Sequence, residues 1–213
     1  MPLKQIQLNR LGLCLVPALF ISAGSLTACG SSPQLRERQA IDDANQEISR
    51  ITRQREEARR LTSQAEAVES DNATRAIELY QQSLRLDDAQ QLAWNNLGTL
   101  LMKQGNYADA VNAFGRASQL VPGDPRPEYN IGIAYQRNGW GEDAYRHFGN
   151  AIDRDPSHMP SMRGFIRAAE MTGRADTALL ATIKSATLRE TDAKWREYLA
   201  RQRYRVEAVI NER

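Results

Sequence analysis

Shifted by 34 residues, the stretch that begins at Gln91 matches itself. Asn96 falls on Asn130, Gly98 on Gly132, Gly105 on Gly139, Asp109 on Asp143 and Ala110 on Ala144. Phe114 falls on Phe148, Gly115 on Gly149, Ala117 on Ala151 and Pro122 on Pro156. A fixed period of this length is the mark of a repeat array, in which no unit buries its apolar face alone and neighbours must stack. The residue types at the matched positions predict two helices per period. Gly105 and Gly139 suit the left-handed turn after a first helix. Pro122 and Pro156 stop a second helix from continuing. A mid-helix glycine costs about 1 kcal/mol against alanine, so Gly98 and Gly132 imply helices that approach closely. Ala110 and Ala144 do the same from the facing helix, and Phe114 and Phe148 fill the remaining space.

The first copy reads Trp94-Asn95-Asn96-Leu97-Gly98 with Leu101 four positions short of Gly105, and the second reads Glu128-Tyr129-Asn130-Ile131-Gly132 with Tyr135 in the same place. A 34-residue unit with W-x2-L-G-x2-Y, then A-x3-F, then P, resembles the tetratricopeptide repeat. The resemblance implies an all-α solenoid of helix-turn-helix repeats. Its full copies cover 91–124 and 125–158, flanked by degenerate copies at 57–90 and 159–190. Upstream, Ala76, Tyr80, Ser83 and Asp88 keep the second-helix slots, while the first helix near Leu61 to Val68 lacks the Trp and Gly signals. Downstream, Gly173, Ala178, Phe165 and Ala169 keep their slots, but Ile166 replaces the glycine and Thr182 the phenylalanine.

Residues 34–70 read as one long polar helix, with Ile41, Ala44, Ile48, Ile51, Ala58, Ala65 and Val68 forming a narrow seam at spacings of three, four or seven. Arg55 and Thr62 interrupt it. The seam allows packing along the array, spacing from a surface, or a two-stranded coiled coil. A last helix over 191–213 places Trp195, Leu199, Val206 and Ile210 on one face and reads as the cap of the array. Lys184 to Arg213 holds three more basic than acidic residues, so this end also offers a weakly basic surface.

The start of the chain has the layout of a secretory signal: Lys4 and Arg10, an apolar run from Leu11 to Ala23, small residues, then Cys29. The run is shorter than the roughly 20 apolar residues of a spanning helix, and Pro17 interrupts it. Leu26-Thr27-Ala28-Cys29 resembles the lipobox of bacterial lipoproteins. That resemblance implies removal of 1–28, a thioether lipid on Cys29, a linker over 29–33, and membrane anchoring outside the cytoplasm. Gly30 after the cysteine points, by the same resemblance, to the outer membrane facing the periplasm. Loss of 1–28 removes Lys4 and Arg10 and leaves 26 basic against 26 acidic side chains, which gives no footprint for nucleic acid. Cys14 leaves with the signal and Cys29 carries lipid, so no thiol remains for disulfides, redox work or metal.

No catalytic motif accompanies these features. His147 and His158 are the only histidines, and the sequence has neither a Cys/His metal cluster nor a Gly-rich phosphate loop nor a serine elbow. The expectation is a non-enzyme with no cofactor beyond the covalent lipid. In tetratricopeptide proteins the first helices of successive repeats line a concave face. Here that face is expected to carry Asn95, Asn96, Thr99 and Lys103, then Arg126, Tyr129, Asn130, Ile133 and Arg137, then Arg163 and Arg167. A side-chain amide both donates and accepts, so Asn96 and Asn130 suit an extended peptide backbone. The cations favour an acidic segment or a terminal carboxylate. The clamp of chaperone-binding members is absent: Asn95 stands at its first lysine, Pro160 at its later lysine and Gly164 at its arginine. The expected role is a lipid-anchored scaffold for a protein segment, as an accessory to envelope, pilus or secretion-complex assembly. The alternative is a structural lipoprotein that acts through helix 34–70.

Overall fold

The computed structural model describes residues 32–212. The signal segment, Cys14, Cys29 and Gly30 lie outside the described residues. Every regular element described is an α-helix: α1 Pro33–Val68, α2 Ala73–Leu86, α3 Gln91–Lys103, α4 Tyr107–Leu120, α5 Pro125–Arg137, α6 Gly141–Arg154, α7 Met159–Met171, α8 Thr177–Arg189 and α9 Ala193–Asn211. The chain divides into two compact units, 1–44 and 45–213, and α1 runs through the division. In the first unit the helical residues 33–44 are exposed throughout.

The second unit is an α-solenoid. Its first helices α3, α5, α7 and α9 begin at Gln91, Pro125, Met159 and Ala193, each one period after the last. The cap α9 thus stands in the register of a further first helix. Within this unit only the later part of the seam is covered: Ala58 and Ala65 are buried together with Leu61 and Thr62, whereas Ile48 and Ile51 stay exposed. Thr62 Oγ1 and Ser83 Oγ lie 2.8 Å apart, and Ser83 donates to the Ala58 carbonyl at 2.6 Å. A polar residue in the seam is tolerated because α2 supplies its partner.

The helices stop and start for local reasons. After α3, Gly105 adopts φ +80°, its N–H donates to the Met102 carbonyl, and the Asn106 N–H donates to Leu101. This is the paired closure of a helix end by a left-handed residue. Gly139 and Gly173 repeat it after α5 and α7. Asn72, Asn106, Asp124, Asp176 and Asp192 then cap α2, α4, α5, α8 and α9 by accepting a backbone N–H.

Packing follows one recurring contact. A Cβ added at Gly98 would stand 2.7 Å from the Phe114 ring, and one at Gly132 would stand 2.7 Å from Phe148. Phe148 also closes on the next pair, 2.5 Å from a Cβ placed at Gly164. In the following pair the volumes are exchanged. Thr182 brings no ring to the Phe position, and Ile166, buried at 1 % exposure, fills the glycine position. The apolar interior forms two clusters, one over α1–α5 and one over α6–α9, and Ile133 and Tyr135 of α5 pack against both. Leu199 and Val206 of α9 are fully buried in the second cluster, so the cap closes the array's apolar end.

Glu128 holds the position of Trp94 one period on, and it is buried. Its carboxylate accepts from Ser118 Oγ at 2.8 Å, Asn150 Nδ2 at 3.2 Å and Arg154 Nη2 at 3.0 Å, and lies 2.8 Å from His147 Nδ1. Burial alone would raise its pKa. The bonds with His147, Ser118 and Asn150 and the charge of Arg154 outweigh burial and bring it down to about 2. A buried carboxylate here ties α4, α5 and α6 together in place of an indole.

Two measurements check this packing. In urea unfolding, Gly132→Ala is expected to lose about 1–3 kcal/mol through overpacking on Phe148, whereas Gly115→Ala, with open space at its Cβ, keeps or slightly gains stability. Glu128 has a folded pKa below its unfolded value of 4.5. The stability it adds is therefore present above about pH 4.5 and is lost as pH falls toward 2. That loss is at most on the order of 3 kcal/mol. Glu128→Gln is expected to flatten this acid limb and lower stability at pH 7.

Candidate protein-interaction face

The face presented by the first helices is built from residues one period apart. α3 contacts α5, and α5 contacts α7. The first helices therefore line a common side of the second unit. Asn130 Nδ2 donates to Asn95 Oδ1 at 3.0 Å, an amide bridge from one pair to the next. Asn96 Nδ2 donates to the Tyr80 hydroxyl at 3.1 Å, and that hydroxyl donates to Glu69 at 3.3 Å. Burial pushes the Tyr80 hydroxyl up to about 12, helped by the neighbouring carboxylates of Glu69 and Glu66 and opposed by the bond from Asn96, so it stays a neutral donor. Asn95, Asn96 and Asn130 are half-buried. Each amide keeps capacity beyond the single bond it makes here.

The other predicted residues divide by what they touch. Thr99 donates back to the Asn95 carbonyl within α3. Lys103 lies 3.5 Å from Glu69, largely exposed. Arg126 pairs with Asp124, the cap of its own helix. Tyr129 packs on Phe148 and edge-on to His158, with ring centroids 5.8 and 5.6 Å apart. Ile133 is a half-buried core contact. Arg137 is exposed and makes no ion pair among the described residues.

Arg163 has an internal carboxylate. Its guanidinium grips Glu190 through Nε at 2.9 Å and Nη2 at 2.6 Å, and the Glu190 side chain is 2 % exposed. Glu190 Oε1 also accepts the N–H groups of Thr191 and Asp192. Burial would raise the Glu190 pKa, but Arg163 and these N–H groups hold it below the usual carboxylate range. The pair fixes the turn from α8 into α9. Both Arg163 and Arg167 then face the Trp195 ring, with guanidinium carbons 4.7 and 4.6 Å from its centroid.

The sequence predicts α9 as the cap, and the register of its start also puts it in line with the first helices of this face. Tyr198 stands one period beyond Gly164 and two beyond Asn130, and Lys194 stands two periods beyond Arg126. Carrying the 34-residue shift past the degenerate copy would have found them. Among the described residues no group of three or more His, Cys, Asp or Glu is placed to hold a metal. No described helix is long and apolar enough to cross a membrane.

Residues 65–125 match the tetratricopeptide repeat model. The chain carries tetratricopeptide repeats. It is 30 % identical over 83 residues to a peroxisomal targeting signal receptor of Candida glabrata, covering 39 % of this chain and 14 % of that protein. It is 28 % identical over 102 residues to tetratricopeptide repeat protein 28 of Mus musculus, covering 48 % of this chain and 4 % of that one. The chain thus spans a small fraction of the length of these relatives. Among solved structures, MamA superposes with a TM-score of 0.55 at 20 % identity, over 61 % of this chain and 70 % of MamA. The first TPR of Spaghetti (RPAP3) bound to the HSP90 peptide SRMEEVD superposes with a TM-score of 0.52 at 13 % identity, over 55 % and 94 %. These likenesses show the fold. Tetratricopeptide domains bind peptide or protein partners.

The Arg163–Glu190 grip is checked by Glu190→Ala. Loss of the carboxylate strands the guanidinium and the N–H groups of Thr191 and Asp192, with an expected cost of about 2–3 kcal/mol. Amide exchange is expected to quicken first in α9.

Proposed function

We propose that this chain is a lipid-anchored scaffold of the cell envelope, held at Cys29, whose first-helix face holds an extended segment of a protein partner. The observation that carries the binding part is the Asn130–Asn95 amide bridge between successive pairs. It joins half-buried amides of two successive first helices, where a polypeptide backbone can exchange hydrogen bonds with them. The lipid anchor rests on the sequence of residues 1–30, and an acidic partner rests on Lys103, Arg137 and Arg167. The scaffold reading gives the protein a part in assembling an envelope, pilus or secretion complex at the periplasmic face of the outer membrane. Chaperone tails fit poorly, because Pro160 and Gly164 stand where that clamp needs cations.

The test is affinity capture from detergent-solubilised membranes. Native protein is compared with a variant carrying Asn95→Ala, Asn130→Ala and Arg137→Glu, after circular dichroism has matched the two. Arg163 is left intact because its removal would disturb α9. A partner held by native protein and released by the variant is the expected result. The same partner held by both would place binding off this face. In parallel, Cys29→Ser is expected to abolish the lipid mass increment and shift the protein from membrane to soluble fraction. An unchanged mass and distribution would remove the anchor.

A further inference from the structure

At the C-terminal end of the first-helix face a cavity of about 210 Å3 is lined by Arg167, Lys194, Trp195 and Tyr198. Its floor is aromatic: the Trp195 and Tyr198 rings meet edge to face, with centroids 5.2 Å apart and planes at 88°. Its cations are Arg167 and Lys194, both exposed. The acids around it already accept hydrogen bonds, and Asp192 also feels the charge of Lys194. Glu190 is taken by Arg163. Glu170 accepts the Tyr198 hydroxyl at 2.7 Å and Gln202 Nε2 at 2.8 Å. Asp192 accepts the Trp195 N–H at 2.9 Å as the cap of α9. Among the described residues neither Arg167 nor Lys194 forms an ion pair, while Arg167 already leans on the indole at 4.6 Å. A guanidinium on the indole, with an ammonium lining the same cavity, presents donors suited to an anion.

We infer that this cavity is a specificity pocket for a side-chain carboxylate of an acidic protein segment, with Arg167 and Lys194 binding the oxygens and Trp195 and Tyr198 covering the aliphatic stem. Charge complementarity selects the anion. The volume and the aromatic floor select a short apolar stem, which Glu or Asp has and a hydrated phosphate lacks. Position selects a polypeptide, because Tyr198 continues the register of Asn96 and Asn130 and a chain running along those amides reaches the cavity. The inference rests on the reading of this face as a protein-binding surface, and it names what one end of that surface takes.

The test uses the full chain in neutral detergent, labelled with 15N at tryptophan. Its three tryptophans give three indole signals, and Trp195→Phe identifies the relevant one. The probe is N-acetyl tetraglutamate amide, which has side-chain carboxylates and no terminal one; tetraglutamine is its neutral control. The expected result is a saturable shift of the Trp195 indole with tetraglutamate alone. It should weaken at least about tenfold in Arg167→Glu and in Lys194→Glu, and fade in high salt. Both residues are exposed, so folding should survive, and the salt series on native protein needs no variant. A shift that persists in both variants and in high salt would overturn the pocket. So would an equal shift with inorganic phosphate or with anionic lipid vesicles at matched charge, which would mark a general anion or membrane surface. Asn95→Ala with Asn130→Ala should leave the tetraglutamate shift in place, so failure of the pocket and failure of the amide face are read separately.

Discussion

The ring of Phe148 lies where a side chain at position 132 or 164 would have to be. One aromatic side chain on a second helix therefore sets how closely the first helix of its own pair and that of the next pair approach. Phe114 and Gly98 make the equivalent contact one pair earlier. With these spacings fixed, the first helices fall at regular intervals, and residues one period apart share a face. The Asn130–Asn95 bridge crosses between two such helices, from neighbouring rather than equivalent repeat positions.

Where the pattern breaks, another interaction substitutes. Glu128 stands in the tryptophan position and is held by polar bonds from α4 and α6. Such a buried carboxylate is stable only because every neighbour donates to it, which makes its contribution dependent on pH and on partners. Ile166 and Thr182 exchange volumes between the two helices of the following pair. At the end of the array, the Arg163–Glu190 grip occupies the buried carboxylate, and among the described residues Arg167 and Lys194 form no close ion pair. The electrostatics of the terminal pocket thus follow from a structural ion pair next to it.

The charged residues of the face show why sequence pattern overstates a binding site. Lys103, Arg126, Arg137, Arg163 and Arg167 are equivalent as letters, each a cation on a first helix. In the structure Arg126 is spent on its own helix cap and Arg163 on a buried glutamate, whereas Arg137 stays exposed and Arg167 lines a cavity. Spacing along a helix gives a side chain's direction. Its electrostatic availability depends on which acids the fold brings beside it, near in sequence for Arg126 and 27 positions away for Arg163.

The sequence by itself determined the repeat length, the turn glycines, the helix-stopping prolines and the all-helical array, because each is a local requirement repeated at a fixed interval. It also marked Asn95, Asn96 and Asn130 as occupants of one face. Only the tertiary structure decided which side chains of α7 and α9 meet at the terminal cavity, that Glu128 is satisfied in the interior, and which arginines are free. These depend on contacts between residues about 10 to 36 positions apart, set by how whole helices pack, which no local pattern encodes.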